Sequence, residues 1–165
     1  MNKQSDAFQD HYPEDVACCY GCGYLNEHGL QIKSRWEGDD AVCRLTPEPY
    51  HTAFTGYVYG GLIASVIDCH SVGTAAAVWM RANGKEIGES MTERFVTGSL
   101  KVDYLRPTPL GGEIEVRARA IEVGERKVIV ESELIAGGEV CAKGLTVAVR
   151  MPEALLESTH RAGSS

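Results

Sequence analysis

Asp68 is the only acid in a stretch of about twenty residues, 60–80, that holds no proline and no other formal charge. A carboxylate on a mostly apolar segment is costly to desolvate unless it is paired, protonated or facing a cleft. It is therefore either a structural acid bonded to Ser65, Ser71 or a neighbouring strand, or a group that takes a proton or attacks an electrophile. Gly60 and Gly61 open the same stretch. The first N–H groups of a helix have no intrahelical acceptor and sit at the positive end of its dipole, so they can meet a developing oxyanion. Absence of a Cβ lets a reacting group approach, although two glycines also suit plain close packing.

Cys19-x-x-Cys22 has the spacing of a zinc or redox pair. Zinc takes four ligands, no second pair lies at suitable spacing, and only Cys18 and His28 are near in the chain. A disulfide oxidoreductase would place the pair at a helix start within a βαβ unit, which the chain lacks. No metal site is expected, and chelators are expected to leave fold and turnover unchanged. His70 follows Asp68 by two residues, about 200° around a helix, so the two are not expected to pair on it. His70 is read as packed or interfacial.

The segments around these residues must position them. Residues 1–28 mix acids, aromatics and cysteines without a sustained period and read as an irregular N-terminal arm. Alternation over 31–36 and 41–46 about Gly38-Asp39-Asp40 predicts a hairpin. Residues 47–58, with two prolines, suit an extended loop, and 60–80 predicts one buried helix ended by Asn83-Gly84-Lys85. Four strands are predicted at 92–105, 112–123, 127–135 and 140–150. The clearest sets Ile114, Val116, Ala118 and Ala120 against Glu113, Glu115, Arg117 and Arg119. The order β-β-α-β-β-β-β implies an α+β domain at 29–151, an antiparallel sheet wrapped on one helix, followed by a flexible tail at 152–165.

The chain of 165 residues is 44% hydrophobic and 24% charged, enough for a core and against disorder. A net charge of -7 without a basic stripe argues against a nucleic-acid platform. No uninterrupted apolar run approaches about 18 residues, so no membrane span is expected. The N-terminal residues lack the continuous apolar segment of a secretory signal. The six cysteines are too sparse for a disulfide scaffold. A cytoplasmic protein with reduced thiols is the expectation.

Three stretches carry a family likeness: Cys19-Tyr-Gly-Cys22-Gly23-Tyr-Leu-Asn26-Glu-His-Gly29-Leu30, Gly56-Tyr-Val-Tyr59-Gly60-Gly61-Leu-Ile-Ala-Ser-Val-Ile-Asp68, and Val102-Asp-Tyr104-Leu-Arg106-Pro107-Thr-Pro-Leu-Gly111-Gly112. With the element order they resemble the hotdog-fold acyl-CoA thioesterases of the phenylacetyl-CoA and 4-hydroxybenzoyl-CoA type, over roughly residues 19–150. The resemblance implies Asp68 as general base or nucleophile, Gly60 and Gly61 as oxyanion donors, and Thr97 as a hydroxyl that orients water. It implies no cofactor. The usual His before the two glycines is Tyr59 here, and Ala53 stands where several relatives have Asn or Gln. Tyr59, Thr52, Phe54 and Arg106 are the expected substrate contacts. His51, Thr52 or Thr55 could replace the missing amide, and Lys101, Arg126, Lys127 and Arg150 are weaker candidates for the coenzyme A phosphates.

Spacing adds one constraint. Eight residues of helix separate Gly60 from Asp68 by about 12 Å, too far for one thioester carbonyl and its attacking water to touch both. An antiparallel second copy would bring Gly60 of one chain to Asp68 of the other, which implies a homodimer, or a dimer of dimers, with two equivalent sites. Rival readings are a hotdog 3-hydroxyacyl-thioester hydratase or dehydratase and a non-catalytic acyl-CoA-binding dimer.

Overall fold

A computed structural model describes residues 6–88 and 93–156. Its elements are β1 (Ser34–Glu37), β2 (Asp40–Leu45), α1 (Gly60–Ala82), β3 (Phe95–Tyr104), β4 (Ile114–Val123), β5 (Lys127–Ala136) and β6 (Glu139–Arg150). This is the expected order, with boundaries shifted by a few residues. The expected strand start at 92, the connection at 89–91 and the end of the expected tail, 157–165, lie outside the described residues.

The six strands form one sheet in the order β1-β2-β4-β5-β6-β3, and all neighbours are antiparallel. The helix lies across it, its contacts running to every strand. Ile63, Val66, Ile67, Ala75, Ala76, Ala77 and Met80 are buried on α1, opposite inward-facing Ile114, Val116, Val128, Val130, Leu134 and Ala142. Gly144 of β6 sets how closely helix and sheet approach. A Cβ there would lie 2.5 Å from Ile67 Cγ2 and 2.4 Å from Ser132 Oγ. The helix ends where the Asn83 amide donates to Trp79 O at 2.8 Å and Gly84 turns the chain at φ +72.

By length and mean hydropathy, 1.4, α1 is apolar enough to cross a membrane, although no uninterrupted apolar run had suggested a span. Small and hydroxyl residues break the run without adding charge. Of the apolar window, 61% is buried inside the fold, so α1 is the core helix.

Residues 6–28 hold one short 3-10 turn, Phe8–His11, and bury Ala7, Phe8, Tyr12, Ala17 and Cys22 in the core. Phe8 is 1% exposed and packs on Trp36, ring centroids 5.1 Å apart. Gln9, Ser34 and His70 are fully buried and satisfy one another. The Ser34 N–H donates to Gln9 Oε1 at 2.7 Å and Gln9 Nε2 donates to Ser34 Oγ at 3.1 Å. His70 Nε2–H donates to Ala41 O at 3.1 Å, so in the neutral ring Nδ1 accepts the Ser34 hydroxyl at 2.8 Å. His70 is thus packed, tying the arm and β1–β2 to the helix.

Burial pushes the His70 pKa down from 6.5 to about 4. Between those values the unfolded chain takes up a proton that the folded chain does not. Stability therefore falls as pH drops through this window, by about 3 kcal/mol at most. Urea midpoints measured from pH 7 to pH 4 are expected to fall, and His70→Gln is expected to flatten that slope. An unchanged slope in the variant would assign the acid sensitivity elsewhere.

Candidate active site

Asp68 stands in the N-terminal half of α1, half-buried, on the wall of a cavity of about 370 Å³. Thr97 reaches it from β3, its hydroxyl donating to Asp68 Oδ1 at 2.6 Å. Neither Ser65 nor Ser71 is the partner. The Ser65 hydroxyl donates to Gly61 O at 2.9 Å, and Ser71 Oγ is buried without one. The β3–β6 register shifts between Thr97 and Ser99, at Gly98, where a Cβ would lie 2.6 Å from Val149 Cγ2. A bulge re-aims its neighbouring side chain, here Thr97. With its one proton given to Asp68, the Thr97 oxygen can only accept from a further donor such as water, and Asp68 keeps its second oxygen for a proton.

The helix start forms a separate cluster. The Leu62 and Ile63 N–H groups both donate to Tyr59 O, and no side chain caps the first turn. Tyr104 from the end of β3 donates its hydroxyl to Gly60 O at 2.7 Å. Burial, then the charge of Tyr59, holds the Tyr104 pKa above its usual value. The Tyr59 ring lies on Gly61, where a Cβ would sit 2.4 Å from Tyr59 Cε1. Only glycine at 61 lets this ring cover the helix start.

Thr52 and Phe54 lie in the loop that leads to Tyr59. The Thr52 hydroxyl is spent within that loop, on Phe54 O at 2.9 Å and Tyr57 O at 3.3 Å, whereas Phe54 is 79% exposed. The Val58 N–H donates to Thr108 O, pinning the loop to the segment after Arg106. Arg106 pairs with Glu139 at 2.6 Å on the exposed surface, a weak bond that an incoming phosphate could replace. Lys101 pairs with Asp103, Lys127 with Glu122 and Arg150 with Glu93. The His51 Nδ1 accepts the Glu48 N–H at 3.0 Å.

Asp68 and Thr97 line the cavity, while Gly60, Gly61 and Tyr59 do not. Its remaining wall is mainly apolar, from Val16, Val72, Ala76, Phe95 and Met151. Beside Asp68 the wall also carries sulfur. Sγ atoms of Cys19, Cys22 and Cys69 lie within 4.8 Å of one another, and Cys19 and Cys69 are 3.9 Å apart. The neighbouring Cys69 thiol, then burial, raises the Cys19 pKa. At Cys69 the hydrogen bond with Cys19 pulls down but is outweighed by Cys22, burial and the Asp68 charge. Cys69 and Tyr104 were missed as contributors because nothing local in the sequence links either to its partner.

The family described as the thioesterase superfamily matches residues 55–143. A thioesterase superfamily protein from Shewanella loihica PV-4, of known crystal structure, is 43% identical over 87% of this chain and 99% of that one, with a TM-score of 0.66. The acyl-coenzyme A thioesterase THEM4 of Xenopus laevis is 30% identical over 93 residues, which are 56% of this chain and 36% of that protein. The BH2602 protein of Bacillus halodurans, determined with CoA, is 22% identical over 74% of this chain and 72% of that one. It shares the fold at a TM-score of 0.57. The α+β hotdog arrangement implied by the sequence is the one observed.

Proposed function

Because the chain belongs to the thioesterase superfamily, we propose that it hydrolyses an acyl-CoA thioester to the free acid and coenzyme A at a site shared by two copies. The Asp68–Thr97 pair on the cavity wall carries this reading. Thr97 holds the water, and Asp68 takes its proton as it attacks the carbonyl, or attacks the carbonyl itself. Charge developing on the carbonyl oxygen is met by the N–H groups of Gly60 and Gly61 from the second copy. The acyl group occupies the apolar cavity, and the nucleotide end lies along Tyr59, Thr52, Phe54 and Arg106.

A second copy is supported by what one chain leaves uncovered. Gly61, Ala64, Ser65, Asp68 and Val72 form a half-exposed stripe at helical spacing on α1. β3 is an edge strand, and Val96 and Tyr104 on it are 42% and 53% exposed. The CoA in the Bacillus halodurans structure and the activity named for the Xenopus protein support the substrate class.

A thiol-release assay over short, long and aromatic acyl-CoAs is expected to show turnover, with some acyl groups strongly preferred because the cavity is bounded. A blank across the panel, with acyl-CoA still bound, would replace this reading by a binding dimer.

A further inference from the structure

Cys19, Cys22 and Cys69 have no part in the proposed hydrolysis, yet they are brought together from two distant elements. The turn that holds the first two is wound tightly, with the Gly23 N–H on Cys19 O at 2.8 Å. Gly21 faces the helix, and a Cβ there would lie 2.2 Å from Cys69 Sγ. Glycine between the two cysteines is thus what allows their turn to close on the helix thiol. Zinc–sulfur bonds of about 2.3 Å at the tetrahedral angle separate two sulfurs by about 3.8 Å. The Cys19–Cys69 separation is 3.9 Å.

We propose that Cys19, Cys22 and Cys69 form a three-thiolate site for one Zn2+ ion, its fourth coordination position open to the cavity. Each sulfur gives up its proton as its bond to the ion forms, so one ion displaces up to three protons and no electron is transferred. The third converging sulfur distinguishes this arrangement from a disulfide, which needs only two. Cys18, exposed and bonded to Asp15 O, lies at the same cavity but outside the trio. This inference departs from the expectation of no metal site, because Cys69 supplies a third sulfur that the sequence does not place beside Cys19 and Cys22, and it does not depend on the hydrolytic reading.

Reduced full-length protein, titrated with Zn2+ against a chromophoric chelator, is expected to bind one ion per chain. Cys19→Ser, Cys22→Ser and Cys69→Ser should each weaken binding at least a hundredfold, and Cys18→Ser should leave it unchanged. Cd2+ added to the wild-type chain gives a second readout that needs no variant to fold. Its thiolate charge-transfer absorbance should saturate at one equivalent with the intensity of three sulfur ligands. Binding that survives Cys69→Ser, loss of binding in Cys18→Ser, or a Cd2+ signal of one sulfur or none would overturn the proposal.

Discussion

Asp68→Asn is expected to lower kcat by at least two orders of magnitude while the chain stays folded. The substitution keeps the volume and leaves an amide oxygen to accept the Thr97 hydroxyl, which now donates to Asp68 Oδ1 at 2.6 Å. It removes the basic oxygen that takes a proton, or the nucleophile, depending on the role of Asp68. A hundredfold loss corresponds to about 3 kcal/mol of transition-state stabilisation. Because ground-state contacts are retained, KM should change little. Half-buried Asp68 is not needed to satisfy a core donor, so the denaturation midpoint should also stay near that of the wild type. Near-normal turnover would return Asp68 to a structural role as the partner of Thr97.

Mixing two inactive chains is expected to restore activity. Gly60→Pro removes one N–H donor from the helix start, and in the proposed dimer the Gly60→Pro and Asp68→Asn variants should each be nearly inactive alone. If a site combines Gly60 of one copy with Asp68 of the other, the heterodimer gathers both lesions in one site and leaves the other intact. Activity after subunit exchange should approach half the wild-type value per heterodimer. Sites confined to one chain would all carry a lesion, and mixing would restore nothing. Proline suits the first position of α1, because Tyr59 before it already has φ -61 and ψ 129, the extended conformation that a following proline requires. A matching circular dichroism spectrum and dimer mass for Gly60→Pro complete the test.

The two experiments probe different parts of the same chain. Asp68 and Thr97 share the cavity in a single copy, whereas Gly60, Tyr59 and Tyr104 lie at the other cluster. Helix rise alone anticipates this separation. What the sequence does not show is how the helix start is furnished. The Tyr59 ring lies over Gly61, and the Tyr104 hydroxyl reaches Gly60 O.

The element order, the single largely apolar helix and the dry and wet faces of β4 follow from local sequence. A strand's side chains alternate and a helix's recur every 3.6 residues, so the faces to be buried are written along the chain. Asp68 was conspicuous for the same reason, as a charge inside an apolar period. Contacts between distant elements have no such local signature. Thr97 meets Asp68 because a bulge at Gly98 re-aims it, Cys69 completes a sulfur trio because Gly21 lets a turn close on the helix, and His70 is locked by Ser34 and Ala41. Each depends on strand register and on how closely two backbones approach, and those quantities exist only once the whole core has packed.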